Sequence, residues 1–495
     1  KLENMRDIIF TFFNYFVFFY TSMLAIFFVT FAFLSFISLK RRKDYYVESY
    51  MRKTIKESPY TPGISVIAPA FNEEKTIIDN VNSMLALEYP LFEVVIVNDG
   101  STDSTLKKMI EHYELIEVPY AYIERIKTKP FRRLLKSTSP KYSRLIVVDK
   151  ENGGTKADAS NAGINVSSYP YFICTDVDCI LEKYALYRCI SPIISSDKQV
   201  IAVSGTMLMA NGCVVKDGQI IDVRTPRTPI PLFQNLEYMR SYLIGKMGWS
   251  AINGMPNVSG GFGLFDRSVA IAAGGYDAPS FAEDMDLITR MVGYMCDFSR
   301  PYKIVQIPDT CCWTEGPPNL AMLYRQRTRW ARGLFQTLNI HRKMIFKKTY
   351  KQMGLLTLPY MFVVELLARI IELVGLIVFI YLAFTGAVNW NTAWMIYLTI
   401  YTFCQFLSIV VITYDYYVGM LYKRGYEYLW IIIASILEPI FYHPIITFCS
   451  LRGYLSYLTN RDFKWKNMER KGFKQKEENT DDAETAAMKP EPATI

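Results

Sequence analysis

Glu93-Val94-Val95-Ile96-Val97-Asn98-Asp99-Gly100-Ser101 is a β-rich apolar run that ends in an amide, a carboxylate, a glycine and a hydroxyl. Branched apolar residues bounded by turn chemistry read as a strand. The same rhythm recurs from about Pro59 to Thr310, at Ile64 to Ala68, Leu145 to Val148, Tyr171 to Thr175 and Val200 to Gly205, with helical patterns between. Alternating strand and helix predict a Rossmann-like α/β domain. In such sheets ligands bind beyond the carboxyl ends of the strands, and the acidic and glycine residues of this chain gather there.

Each cluster has two readings. Asn98-Asp99-Gly100-Ser101 suits a ligand and also suits ordinary turn and N-cap chemistry. Asp176-Val177-Asp178 follows Tyr171 to Thr175; in an extended stretch alternate residues point the same way, so both carboxylates can face one hard cation. Asn152-Gly153-Gly154-Thr155-Lys156 lets backbone approach a ligand beside a point charge, but lacks the GxxxxGK[ST] spacing of a Walker A loop. Ser259-Gly260-Gly261-Phe262-Gly263 reads as a second glycine-rich loop, for ligand approach or for tight packing. Phe281-Ala282-Glu283-Asp284-Met285-Asp286 sets three carboxylates before a helical pattern, where the helix dipole alone would favour them.

The 495 residues exceed what one core usually serves. The excess reads as membrane. Ile8 to Leu39 is nearly uncharged and, as a helix, would run roughly 46 Å against a hydrocarbon core of about 30 Å, enough for one tilted span. A cleavable signal peptide is the competing reading, but no small-residue cleavage site is evident. Lys40, Arg41, Arg42 and Lys43 follow, which predicts a cytosolic side for the next domain. Hydrophobicity returns at Leu355 to Phe384, Ala393 to Tyr414 and Tyr428 to Cys449. Three further crossings would put the basic tail Arg461 to Lys476 outside, against the charge rule; either Pro439 and Pro444 break the last segment, or one span lies flat. Glu365, Arg369 and Glu372 share a helical face, as the lining of a polar path or as a structural ion-pair cluster. From Glu477 the composition predicts disorder.

The net charge of +8 gathers beside the hydrophobic segments, which points to anionic lipid headgroups and away from nucleic acid. The nine cysteines show no CxxC spacing and read as reduced thiols without zinc. The basic stretch Leu115 to Tyr142 reads as a solvated insert. Just before the hydrophobic return stands Gln326-Arg327-Thr328-Arg329-Trp330, where guanidiniums suit phosphate and an indole face suits a pyranose ring.

In order, Val66-Ile67-Ala68-Pro69-Ala70-Phe71-Asn72-Glu73-Glu74, Asn98 to Asp103, Asp176-Val177-Asp178, Glu283-Asp284 and Gln326 to Trp330 resemble the family 2 glycosyltransferases of GT-A fold, in the membrane-embedded processive branch of hyaluronan, chitin, cellulose and poly-N-acetylglucosamine synthases. The resemblance implies that Asp99 contacts the nucleobase, Lys156 and Asp176 the nucleotide sugar, and Asp178 a Mg2+ or Mn2+ ion. It implies Asp284 as catalytic base, with Glu283, Gln326, Arg329 and Trp330 at the acceptor and diphosphate. Ala282 stands where the family usually has threonine, and Asn98 where it usually has aspartate.

The chemistry is consistent with that assignment. Displacing a nucleoside diphosphate needs charge neutralised on the leaving group and a carboxylate for the acceptor proton; Asp284, flanked by Glu283 and Asp286, is placed for this. The expected protein has a transmembrane helix at 1–43, a cytosolic GT-A domain at 59–340, interfacial and transmembrane helices at 341–460 and a basic, then disordered, tail at 461–495. Its expected function is inverting transfer of a hexose or N-acetylhexosamine from a UDP-sugar to a growing β-linked polysaccharide, at a bacterial inner membrane, with accessory secretion subunits as candidate partners. The rivals are single transfer to a lipid-linked acceptor and an inactive sugar-binding partner.

Overall fold

The computed structural model describes residues 2–45, 48–119, 122–216 and 218–459. The basic and disordered tail expected at 461–495 lies outside the described residues.

Among the described residues twelve strands are formed: β1 (Ile64–Ala70), β2 (Phe92–Asp99), β3 (Leu115–Glu117), β4 (Phe131–Ser137), β5 (Leu145–Lys150), β6 (Tyr171–Thr175), β7 (Ile180–Leu181), β8 (Gln199–Met209), β9 (Val214–Lys216), β10 (Gln219–Asp222), β11 (Phe262–Asp266) and β12 (Tyr302–Thr314). Ten make one sheet in the order β3-β4-β5-β2-β1-β6-β11-β8-β12-β7, with β9 and β10 as a separate hairpin. Neighbours from β5 through β2 and β1 to β6 are parallel. Every residue of β2 is buried, as a strand covered on both faces requires.

The chain moves from β1 to β2 and β5 on one side and to β6 on the other. This reversal opens a crevice at the carboxyl ends of β1 and β6, the place where open α/β sheets bind ligands. Strand β11 corrects the reading of Ser259 to Gly263 as one loop, because Phe262 and Gly263 already belong to it. It runs antiparallel between β6 and β8. Flanking glycines hid a strand of only five residues. The basic stretch after Leu115 adds β3 and β4 antiparallel to the sheet edge.

Among the described residues three helices are long and apolar enough to cross a membrane, with spans Tyr15–Arg42, Trp390–Val418 and Gly425–Leu458. Their outward faces carry exposed Phe33, Trp394, Ile409, Ile432 and Phe448, the pattern of surface meant for lipid. The first packs on the helix Met247–Ala251 through aromatic rings: the Phe31 centroid lies 4.7 Å from that of Trp249, and Trp249 5.0 Å from Tyr360. Leu355 to Phe384 is not one regular span. It begins with π turns at Met353–Thr357 and Met361–Leu366 and becomes regular only at Leu367–Phe384.

Of the two alternatives for the C-terminal spans, a break at Pro439 and Pro444 is absent, because one helix runs through both from Gly425 to Leu458. Pro439 has no N–H to give the carbonyl of Ser435, four residues earlier. That carbonyl instead accepts from Gln405 Nε2 at 2.8 Å, so a neighbouring helix supplies the missing donor.

Candidate active site

One cavity of about 1520 Å3 runs along the crevice, and Asp99, Lys156, Asp176, Asp178, Glu283, Asp284, Gln326, Arg329 and Trp330 all line it. The nine candidate residues, drawn from five separated stretches, are therefore brought together.

The first wall is made of strand ends. Asp99 closes β2, and its Oδ1 accepts from Lys150 Nζ at 2.8 Å and from the Gly153 amide at 2.9 Å. Lys150, fully buried, closes β5 and also bonds Asp158. Neither Lys150 nor Asp158 stood out in the sequence. The available signal was a lysine ending an otherwise apolar strand, which burial obliges to find carboxylates. Gly153 admits Asp158 because any Cβ there would lie 2.1 Å from its Oδ2.

Lys156 opens the next helix, where the Thr155 side chain caps by accepting from the Asp158 amide. Its Nζ pairs with Asp176 Oδ1 at 2.6 Å and also donates to the Gly260 carbonyl. Burial opposes the charge, but Asp176 wins and holds the ammonium above the usual lysine range. Asp176, Asp178 and Cys179 present ligand atoms within 4.8 Å of one another.

The second wall is helical. Asp284 sits in the first turn of the helix Glu283–Asp297. Its Oδ2 accepts from the Gly260 amide at 3.0 Å and its Oδ1 from the Met285 amide at 2.8 Å. Gly260 thus touches both Lys156 and Asp284, and joins the two walls. Burial pushes the Glu283 carboxyl up, Arg329 pulls against it and Asp284 adds to the rise; the net direction is upward.

Asp286 does not flank Asp284 in space. At about 100° per residue it points some 200° away around the helix. There it meets Arg290 at 2.7 Å and His341 Nε2 at 2.7 Å. Burial would raise its pKa, but the bond with His341 and the charge of Arg290 leave it below the usual carboxylate value.

Gln326 to Trp330 lies within the helix Leu320–Ile340, capped by the Asn319 side chain. Its two arginines differ. Arg327 is buried in a bidentate pair with Glu237, both contacts at 2.6 Å, and Tyr442 adds its hydroxyl at 3.0 Å. Its guanidinium also lies 4.5 Å from the Trp330 ring centroid, so this pair fixes the indole from behind. Burial works against the charge of Glu237, and Arg327 brings its carboxyl below the usual value. Gln326 Oε1 accepts from Gln234 at 2.9 Å. Gly333 packs so closely on Ala282 that a Cβ there would lie 2.6 Å from the alanine methyl, which accounts for a small residue before Glu283-Asp284.

From Trp330 the cavity continues past Ile446, Ser450 and Tyr454 to Glu365 and Arg369. Arg369 pairs with Glu372 at 3.2 Å and donates to Thr447 at 3.2 Å, across to the helix Gly425–Leu458.

A doubly covered sheet with its acidic groups at the crevice, faced by a helical carboxylate and an Arg–Trp platform, defines a glycosyltransferase of GT-A architecture. Residues 65–211 match the Glycosyl transferase family 2 model and residues 227–447 the Glycosyl transferase family group 2 model. The chain belongs to glycosyltransferase family 2. It is 29% identical over 278 residues to poly-beta-1,6-N-acetyl-D-glucosamine synthase of Staphylococcus aureus, covering 56% of this chain and 55% of the relative. The chain thus spans about half the length of that relative. The synthase of the same name from Staphylococcus epidermidis is 24% identical over 393 residues, 77% of this chain and 83% of its own. A mannosyltransferase from Pyrobaculum calidifontis, solved with GDP-Man and Mn2+, is similar over 89% of this chain and 100% of its own, at 15% identity and a TM-score of 0.47.

Proposed function

We propose that this chain transfers a hexose or N-acetylhexosamine from a UDP-sugar to the non-reducing end of a β-linked polysaccharide, inverting the anomeric centre, and passes the product outward between its helices. The observation that carries this reading is the continuity of the cavity from Asp99, past Asp284 and Trp330, to Glu365 and Arg369 between membrane-length helices. Likeness to synthases of poly-beta-1,6-N-acetyl-D-glucosamine supports the polymer.

In this mechanism Asp99 receives the nucleobase, and Lys156 with Asp176 receives the sugar diphosphate. Asp178 and Asp176 offer hard oxygen ligands that fit Mg2+ or Mn2+, while the Cys179 thiol is engaged with Cys312. When bound, the ion supplies positive charge to the diphosphate leaving group. Arg329 adds charge from the opposite wall, and Trp330 stacks the acceptor ring. Asp284 takes the proton as the acceptor oxygen bonds to the anomeric carbon and the bond to the diphosphate breaks. Its two amide contacts fix the carboxylate for that transfer without supplying a competing proton acceptor.

The proposed division is a membrane helix at 1–43, the catalytic unit at 59–340, and interfacial and spanning helices at 341–460. Lys40 to Lys43 support a cytosolic catalytic unit. The count of three candidate spans among the described residues, few for a chain-conducting path, favours as a second reading single transfer to a lipid-linked acceptor. The test is UDP release by the purified full chain on a panel of UDP-sugars with and without Mn2+, with sizing of labelled product. A ladder of lengths is expected; a product one sugar longer would sink the polymer, and no release from any donor would sink the transferase.

A further inference from the structure

The helix Pro229–Arg240 does not run smoothly into Met247–Ala251. A π turn, Ser241–Lys246, joins them. Such turns widen the helix by a residue and concentrate at functional sites, because regular α-helix is the cheaper conformation. Here the turn brings Ser241, Tyr242 and Lys246 to the wall of the cavity that holds Asp284.

Lys246 is 7% exposed. Among the described residues its ammonium makes no hydrogen bond or ion pair, and its only specific contact is with the Tyr242 ring, 4.6 Å to the centroid. Burial lowers its pKa to about 8, and the charge of Asp284 only partly offsets that. A buried ammonium without an oxygen partner is a costly arrangement. Lys150, fully buried, and Lys156, partly buried, have carboxylates at 2.8 Å and 2.6 Å. The fold therefore provides carboxylates for Lys150 and Lys156 and withholds one from Lys246.

We propose that Lys246 binds the acceptor saccharide, its ammonium donating to an oxygen of the sugar that lies over Asp284. This rests on the reading of Asp284 as the group facing the acceptor hydroxyl. The ligand is a carbohydrate and not the donor diphosphate, because Lys156 already serves the strand-end wall. Lys246 stands on the helical wall, one residue before the helix that packs on Phe31 of the first membrane-length helix. An oxygen arriving with the acceptor completes the coordination that the protein leaves open.

The test is direct titration of a β-linked N-acetylglucosamine tetrasaccharide into the full chain loaded with UDP and Mn2+, compared between wild type and Lys246→Met. Loss of one charge-assisted hydrogen bond is expected to weaken oligosaccharide binding about 10–100-fold. UDP affinity should stay within about twofold, and the thermal midpoint should not fall, since the variant removes an uncompensated charge. Lys246→Arg, which keeps the charge, should retain most of the affinity. Equal oligosaccharide binding by wild type and Lys246→Met, or a parallel loss of UDP affinity, would overturn the proposal. Because binding is read without turnover, failure of the transferase reading shows separately, as absent UDP release by the wild type.

Discussion

On the strand-end wall of the cavity, Lys150 is met by Asp99 and Asp158, and Lys156 by Asp176. On the helical wall, Lys246 is buried and, among the described residues, meets only an aromatic ring. The contrast separates two ways of preparing for a ligand. A nucleotide diphosphate is a strong, fixed charge, and a wall facing it can be internally neutral and rigid before it arrives. An acceptor is a neutral sugar with many weak acceptors, and a wall facing it gains selectivity by leaving a donor unsatisfied.

The comparison breaks most readily at Asp284. Replacing it with Asn should lower turnover by at least ~100-fold while UDP affinity holds, because general-base loss acts on the chemical step alone; a mild loss in steady-state UDP release would remove Asp284 from the role. Next comes the ion. Asp178→Ala should abolish the stabilisation of the protein by UDP that depends on Mn2+, measured as a thermal shift, while leaving the shift caused by oligosaccharide alone.

A smaller effect is expected behind Trp330. Glu237→Gln leaves Arg327 buried with half of its bidentate partner, and should cost roughly 3 kcal/mol in unfolding free energy and loosen oligosaccharide binding more than UDP binding. Denaturant midpoints and paired titrations would read both.

Smaller still, and of opposite sign, is Lys246→Met, which should stabilise by roughly 1–3 kcal/mol at neutral pH. The folded pKa of about 8 lies below the 10.5 of an ordinary lysine, so between those values the unfolded chain holds a proton the folded one has released. Stability of the wild type should therefore rise relative to the variant as pH climbs through that window. Flat relative stability from pH 7 to 10 would remove the buried charge from the account. The smallest effect belongs to the exposed edge: Arg132→Ala on β4 should change stability by less than about 0.5 kcal/mol and leave UDP affinity alone.

The same two walls differ in how far they can be read from sequence. Asp99, Lys156, Asp176 and Asp178 sit at or just beyond strand ends, and strand periodicity with local turn chemistry locates such positions without tertiary information. The helical wall depends on encounters. Arg327 finds Glu237 across 90 positions of sequence, and nothing local distinguishes its guanidinium from that of Arg329 two residues on. Asp286 is two residues from Asp284 in sequence but not its neighbour in space, because helical rotation turns it to another face. Lys246 carries no motif at all; its significance appears only when its surroundings are counted. Pro439 misled for a related reason, since the donor that repairs its helix comes from Gln405 on another.

Arg240 pairs with Glu438 at 2.8 Å and Arg227 with Glu427 at 3.0 Å, while Glu237 holds both Arg327 and Tyr442. These struts fasten the helix Pro229–Arg240 to Gly425–Leu458 along its length, with the Trp330 helix clamped to the same frame. Gly453 brings that frame still closer, because a Cβ there would lie 2.6 Å from the Thr328 carbonyl. The helix Gly425–Leu458 and the helix that carries Trp330 are therefore fastened as one unit. On the roles proposed for Trp330 and Asp284, a change in the tilt of that helix, through bilayer thickness or choice of detergent, would re-aim the indole over the carboxylate, and the rate of transfer would then report on the surrounding membrane.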